Sequence, residues 1–404
     1  MITKPKLEAP FRYKHNTSSF AHYWSAGAGV ELLHKLDKNL DLKEAEAYIP
    51  LLFKSDDLAD KLVEEVHLKF GFAAGHRMLI DYLENRTLAQ YVRFIFDDFF
   101  AKIDLEPNWV DWDLLAVGQR LCQRGGLTSL IVLRDYCLMG GYESAAINKP
   151  LIYTGALEKG AVRRLSDTVE FWVQITKPGN IHYRKEGFKQ IVRTRIMHAL
   201  SRKHIQKKTD WDESSWGKPL NTWDMLATHL GFTQVFLVGL RKMGLEPTKE
   251  EVAGLFHFWK YVSHLLGVPL ELLADNEEEA IEQLYYWTMT QREGDADSKS
   301  LAHALQEEPI HAFYPKTALM RKMMREIHLF YNHYLLGDYS CSLLGLSKTT
   351  IGRLAVANIW RNRKHEKLIV EGADRQIYID AGALEQENVR KLYEKFNRQA
   401  PRGS

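Results

Sequence analysis

Cysteine is nearly absent from this chain: Cys122, Cys137 and Cys341 stand far apart in 404 residues, with no C-x-x-C spacing. An odd number of scattered thiols builds neither a disulfide framework nor a zinc site, and a reducing compartment suits them. An excess of one charge is missing too, since 54 Lys and Arg stand against 52 Asp and Glu. The two signs interleave along the chain, which argues against a nucleic-acid partner. No run of about 20 uncharged apolar residues occurs, and the N-terminal segment lacks the apolar core of a signal peptide. Both absences predict a cytoplasmic chain without a transmembrane segment. H-E-x-x-H, G-x-S-x-G, G-x-G-x-x-G and P-loop patterns are also missing, which counts against zinc peptidase, serine hydrolase, dinucleotide and phosphate-loop chemistry.

What is present is helical periodicity. Apolar residues recur at spacings of three and four, while alternating runs bounded by hairpin turns are nearly absent. The expected fold is therefore all-α, a single large helical domain over residues 1–400, with the last four residues, PRGS, read as the remnant of a cleavable tag. Early amphipathic segments cover 28–36, 42–52, 58–70 and 87–100. Gly125-Gly126 marks a turn or a close backbone approach before an apolar run over 127–139. Helices are expected over 186–205 and 223–243, the second capped by Gly244, and Thr248 with Glu251 forms a capping box for the next. The polar stretch 292–300 is expected as an exposed loop, and 369–379 as a short surface hairpin.

Chemistry has few places to go in such a chain. On the helical stretch AVRRLSDTVEFWVQI, Arg164 and Thr168 stand four apart and share a face with Phe171. An arginine turned into a core needs an anion, either an ordinary acid of the protein or the carboxylate of a bound ligand. His198 lies on the apolar side of the next helix, flanked by Arg193, Arg195, Arg202 and Lys203. A lone histidine on an apolar face is more often a core residue held by one hydrogen bond than a metal ligand, and both readings stay open here. Glu31 with His34 and Glu64 with His67 have the Glu-x-x-His spacing of di-iron bundles, which would need two further glutamates.

Several segments taken in order are more specific: Arg164-Leu-Ser-Asp-Thr168, Val192-Arg-Thr-Arg-Ile-Met-His198, Trp216-Gly-Lys-Pro-Leu-Asn221 with Asp224, Gly239-Leu-Arg241, and Trp259-Lys-Tyr261 with Gly267. Together, over a core of about 154–268, they resemble the superfamily of latex-clearing proteins (rubber oxygenases) and MpaB oxygenases. The resemblance implies a helical body enclosing a b-type haem, with His198 as the proximal iron ligand. Arg164 and Thr168 would then shape the pocket and its distal polarity, and Arg195 and Arg202 would suit the cofactor's carboxylates. The best-known rubber oxygenases carry a lysine before the threonine as a distal iron ligand; here Asp167 stands in its place, and an aspartate cannot copy an uncharged amine. The family's proposed glutamate base has no clear match, because Asn148 lies at about its distance, with Glu143 and Glu158 the nearest acids. The implied activity is dioxygen activation for oxidation or cleavage of an apolar, unsaturated small substrate. The alternatives are a non-catalytic haem protein and a cofactor-free carrier of apolar ligands; a monomer and a small homo-oligomer are both compatible with the sequence.

Overall fold

The computed structural model describes residues 8–13, 20–155, 157, 160–312, 315–349 and 355–399. The expected tag remnant and Glu158 lie outside the described residues. Among the described residues there are helices and turns but no strand, only an isolated antiparallel bridge between Ser144 and Glu293. The helices that position the site are α1 (Asp57–Leu62), α2 (Trp112–Arg124), α3 (Gly126–Val132), α4 (Ala161–Thr176), α5 (Glu186–Lys208), α6 (Thr222–Leu230), α7 (Phe236–Lys242), α8 (Lys249–Leu265), α9 (Ala296–His311), α10 (Ala318–Leu336), α11 (Val356–Val370) and α12 (Arg375–Gln399).

Local chemistry sets their ends. Asp56 caps α1 by accepting the N–H of Ala59. At α8 the Thr248 hydroxyl accepts the Glu251 N–H at 3.2 Å while the Glu251 carboxylate accepts the Thr248 N–H at 2.9 Å, the expected capping box. Gly244, with φ +84°, ends α7 as expected. A wider π-helical turn, Gly231–Val235, joins α6 to α7, so the expected rod over 223–243 is continuous but locally overfilled. A second such turn, Leu133–Leu138, follows α3.

Helices α2 and α8 cross backbone against backbone. A Cβ on Gly118 would stand 2.1 Å from the carbonyl oxygen of Gly254, and one on Gly254 would stand 2.7 Å from the Gly118 nitrogen. Only glycine at both positions permits that contact. The Gly125-Gly126 pair is both a turn, with φ +51° at Gly126, and a close approach, because Gly382 of α12 packs on Gln123 with no room for a side chain. Two hydrophobic clusters form around this frame, a large one that includes Trp172, Phe236 and Trp259 and a smaller one built on Tyr142, Leu165, Leu305 and Leu329.

Three local expectations are corrected. The stretch 292–300 is a loop only as far as Asp295: Asp295 caps α9 in a capping box with Ser298, which is itself buried, so 296–300 is a polar first turn of helix without apolar periodicity. Lys149 holds that turn through Asp295 at 2.6 Å and through Asp297. Nor is 369–379 a hairpin, since α11 runs to Val370 and α12 begins at Arg375, with weak alternation arising from two helix ends and a turn. The segment Leu42–Phe53 is a 3₁₀ helix containing Pro50 rather than a regular α-helix.

The α2–α8 contact yields a direct expectation. Gly118→Ala should lower the unfolding free energy by about 3 kcal/mol, the upper end of overpacking costs, because the obstruction is backbone and cannot swing away. Chemical denaturation of the two proteins checks it; an unchanged midpoint would mean that the helices part freely.

Candidate active site

A cavity of about 1190 Å³ opens between the two hydrophobic clusters, with Tyr142 and Leu165 of the smaller and Trp172 and Trp259 of the larger on its wall. Ligand pockets commonly measure roughly 300–1,000 Å³, so this space is large enough for a bulky prosthetic group or a long apolar molecule. Arg164, Asp167, Thr168 and His198 all line it. Helical spacing therefore brought the right face of α4 to the same space as His198 of α5.

Arg164 donates from Nη1 to the Tyr142 hydroxyl at 2.9 Å. Its guanidinium carbon also stands 5.6 Å from the Tyr142 ring centroid. Among the described residues Arg164 has no carboxylate partner, so a full positive charge faces the cavity with only a neutral phenol against it. Burial raises the Tyr142 pKa, opposed by that same arginine. The Thr168 hydroxyl donates back to the Arg164 carbonyl at 2.9 Å, which leaves its oxygen lone pairs, rather than its proton, for anything in the cavity. Asp167 borders the cavity with its carboxyl pKa raised by desolvation, against the opposing charge of Arg163.

His198 stands deep in the protein. Its Nδ1 is sealed from solvent without a hydrogen-bond partner, and desolvation, reinforced by the charge of Arg202 and opposed by Asp56, pushes the ring down to about 4. At neutral pH the imidazole is uncharged, and a lone pair is available on one ring nitrogen.

Arg195 and Arg202, expected at the cofactor's carboxylates, do not line the cavity. Arg195 grips Asp56 with Nε at 2.6 Å and Nη2 at 2.9 Å, and also donates to the Leu265 carbonyl at 3.2 Å. Arg202 grips Asp60 with Nε at 2.9 Å and donates to the Leu220 carbonyl at 3.1 Å. Two buried cations beside two buried acids must pair, and the result fastens α5 to α1 behind His198. Gly267, with φ +89°, leaves room for the Asp56–Arg195 pair, since a Cβ there would stand 2.4 Å from Asp56 Oδ2. Glu31 and His34 are exposed, Glu64 is taken by Lys203 at 2.8 Å, and no group of three His, Cys, Asp or Glu side chains gathers as a metal site among the described residues.

Of the other polar groups on the wall, sequence reasoning missed His229 and weighed Glu143 and Asn148 only in place of the family's base. His229 of α6 has its Nδ1 2.9 Å from the Ser263 hydroxyl of α8, while its Nε2 is sealed and unpartnered; burial holds this ring at about 3. Glu143 is buried at the cavity and its carboxyl is pushed up to about 7 by desolvation, against a hydrogen bond from Ser340. Asn148 donates to the Tyr142 carbonyl at 2.8 Å and to Ser298 at 2.9 Å, so it is a clamp on the wall. No local spacing links these residues. The one signal was a polar side chain on an apolar helical face, which is as common in cores as in sites.

A body of helices wrapped around one large, mostly apolar cavity with a few convergent polar groups is the class of protein this geometry defines. The family model described as "ER-bound oxygenase mpaB/B'/Rubber oxygenase, catalytic domain" matches residues 126–362, more than half of the chain, and the chain belongs to that oxygenase family. Among solved structures, that of a latex clearing protein in the closed state aligns with a TM-score of 0.64 and 18% identity over 93% of this chain and 94% of the other, a likeness of fold. No curated protein matches the chain. Among the described residues no helix is long and apolar enough to cross a membrane.

One prediction concerns His67, whose two ring nitrogens are both sealed and unpartnered and whose pKa burial lowers to about 4. The unfolded ring titrates near ~6.5, so below that value the unfolded chain binds more protons and stability falls as the pH drops toward 4. His67→Leu removes this loss. Between pH 7 and 5 the variant should lose about 2 kcal/mol less stability than the wild type, at ~1.4 kcal/mol per pH unit over the titrating window. Denaturation curves at the two pH values check this; equal losses in both proteins would show that His67 protonates freely in the fold.

Proposed function

We propose that the chain is a haem-b-dependent oxygenase that oxidises or cleaves an apolar, unsaturated small substrate, with His198 as the proximal iron ligand. The observation that carries this reading is the neutral His198 ring set in the wall of a cavity of about 1190 Å³. Its Nδ1 is sealed, whereas Nε2 is not sealed and has no hydrogen-bond partner among the described residues, so Nε2 is the nitrogen that would take the iron. Membership of an oxygenase family supports the reaction class.

The residues present fit a haem. His198 would hold the iron, and Arg164, which has no carboxylate partner among the described residues, would pair with a propionate. Bound haem supplies the iron redox chemistry of dioxygen activation. The chain's own part is to hold His198 neutral by burial and to fix α5 through the Arg195–Asp56 and Arg202–Asp60 pairs. The apolar wall, including Trp172, Phe232 and Trp259, excludes water and binds substrate. Thr168 presents an acceptor oxygen, and Asp167 presents a carboxyl whose raised pKa favours the protonated, uncharged form more than in water. Neither copies an amine ligand, so the distal side differs from that of the lysine-bearing rubber oxygenases.

Protein produced with ample haem should show a Soret band and release haem b as its pyridine complex. His198→Ala should lose most of the Soret intensity while keeping its helical circular dichroism. The reduced protein should consume oxygen in the presence of a terpenoid or unsaturated lipid. A colourless wild-type protein from haem-replete cells would overturn the haem assignment and leave a carrier of apolar ligands; haem without substrate-dependent oxygen uptake would leave a binding or sensing protein.

A further inference from the structure

The cavity wall has a second polar group that the His198 site does not use. It is built on the π-helical turn Leu133–Leu138, whose extra width lets two consecutive side chains, Arg134 and Asp135, both be buried. Asp135 is completely buried; its Oδ1 receives Arg134, and its Oδ2 lies 2.6 Å from Nδ1 of His328 on α10. Arg134 is held further by the Leu305 carbonyl at 2.7 Å and by Glu308 of α9 at 3.2 Å. Tyr393 of α12 donates to the other oxygen of Glu308 at 3.2 Å. Arg134, Glu308, His328 and Tyr393 border the cavity, and Asp135 sits behind them.

This arrangement orients His328. With Nδ1 against a carboxylate, that nitrogen carries the proton, and Nε2 is the acceptor of a neutral ring or a second donor of a charged one. Among the described residues Nε2 has no hydrogen-bond partner, and it is not sealed away. The network behind the ring holds two carboxylates against one guanidinium, so a ligand bringing a further negative charge is disfavoured. A plain hydrocarbon end would cover Nε2 and strip its water without replacement. A hydroxyl both donates and accepts, and therefore satisfies Nε2 in either proton state.

We propose that the Asp135–His328 pair is a docking site for the hydroxyl group of an apolar alcohol or phenol, whose remaining body lies along the cavity that His198 also lines. The assignment deepens the oxygenase reading by naming the substrate class. It rests only on the cavity as a ligand site, and not on haem, so the two can fail separately.

Isothermal titration calorimetry of the full chain as purified, with geraniol and with the hydrocarbon myrcene, tests the assignment. Geraniol should bind at least fivefold more tightly, the scale of about one buried hydrogen bond. In His328→Phe the preference should fall below twofold while myrcene affinity stays within twofold of wild type; His328→Gln, which can still donate and accept, should keep part of it. Soret intensity should be unchanged in both variants if the wild type binds haem. Equal affinities for the two ligands in the wild type, or a preference that persists in His328→Phe, would overturn the proposal. Should His328→Phe fail to fold, the wild-type ratio and His328→Gln decide it.

Discussion

A helical body that keeps about 1190 Å³ of space inside itself must be propped from the walls, because open volume forfeits the dispersion contacts that close packing provides. Buried ion pairs do much of that propping here. Arg195 and Arg202 hold α5 against α1. Arg124 ties α2 to α8 through Glu251 at 3.0 Å and to α11 through Glu366. Arg12, near the chain start, reaches Asp224 of α6 at 2.6 Å and Gln291 at 2.9 Å. Each pair exacts a desolvation cost, and each is directional, so it fixes where a helix stands rather than merely holding it. The Gly118–Gly254 contact lets α2 and α8 close to backbone distance.

This division of labour separates the cavity's cations into two kinds. Arg134, Arg195 and Arg202 are consumed by carboxylates, while among the described residues Arg164 meets a tyrosine hydroxyl and no carboxylate. Such a guanidinium and an uncharged histidine with an unpartnered nitrogen on one cavity wall are costly to the empty protein and favourable to an occupied one. The same logic marks His328, whose carboxylate-backed ring presents to the same space a nitrogen unpartnered among the described residues. A ligand reaching both sites would satisfy groups that the described residues leave open.

Legibility differed by the range of the signal. The all-α class, the capping box at Thr248 and Glu251, the Gly244 cap and the shared face of Arg164 and Thr168 are short-range facts, set within a turn or two of helix. The polar first turn of α9 was misread because a capping box of Asp295 with Ser298 carries no apolar periodicity. Residues 369–379 were misread because two helix ends meet there. Arg195 and Arg202 flank His198 in sequence, yet their partners Asp56 and Asp60 lie more than a hundred positions away, and no spacing rule reaches that far.

By itself, then, the sequence determined that the chain is helical, where many of its helices stop, and that α4 and α5 each carry polar residues on an apolar face. The tertiary structure alone decided which of those polar residues face the cavity. Charge pairing was the reason: a buried cation goes to the nearest acid, and the packing of α1 behind α5 put acids within reach of Arg195 and Arg202, whereas among the described residues none pairs with Arg164. It decided too that Asp135, His328 and Glu308, from three separate segments, join in one polar network at the cavity wall.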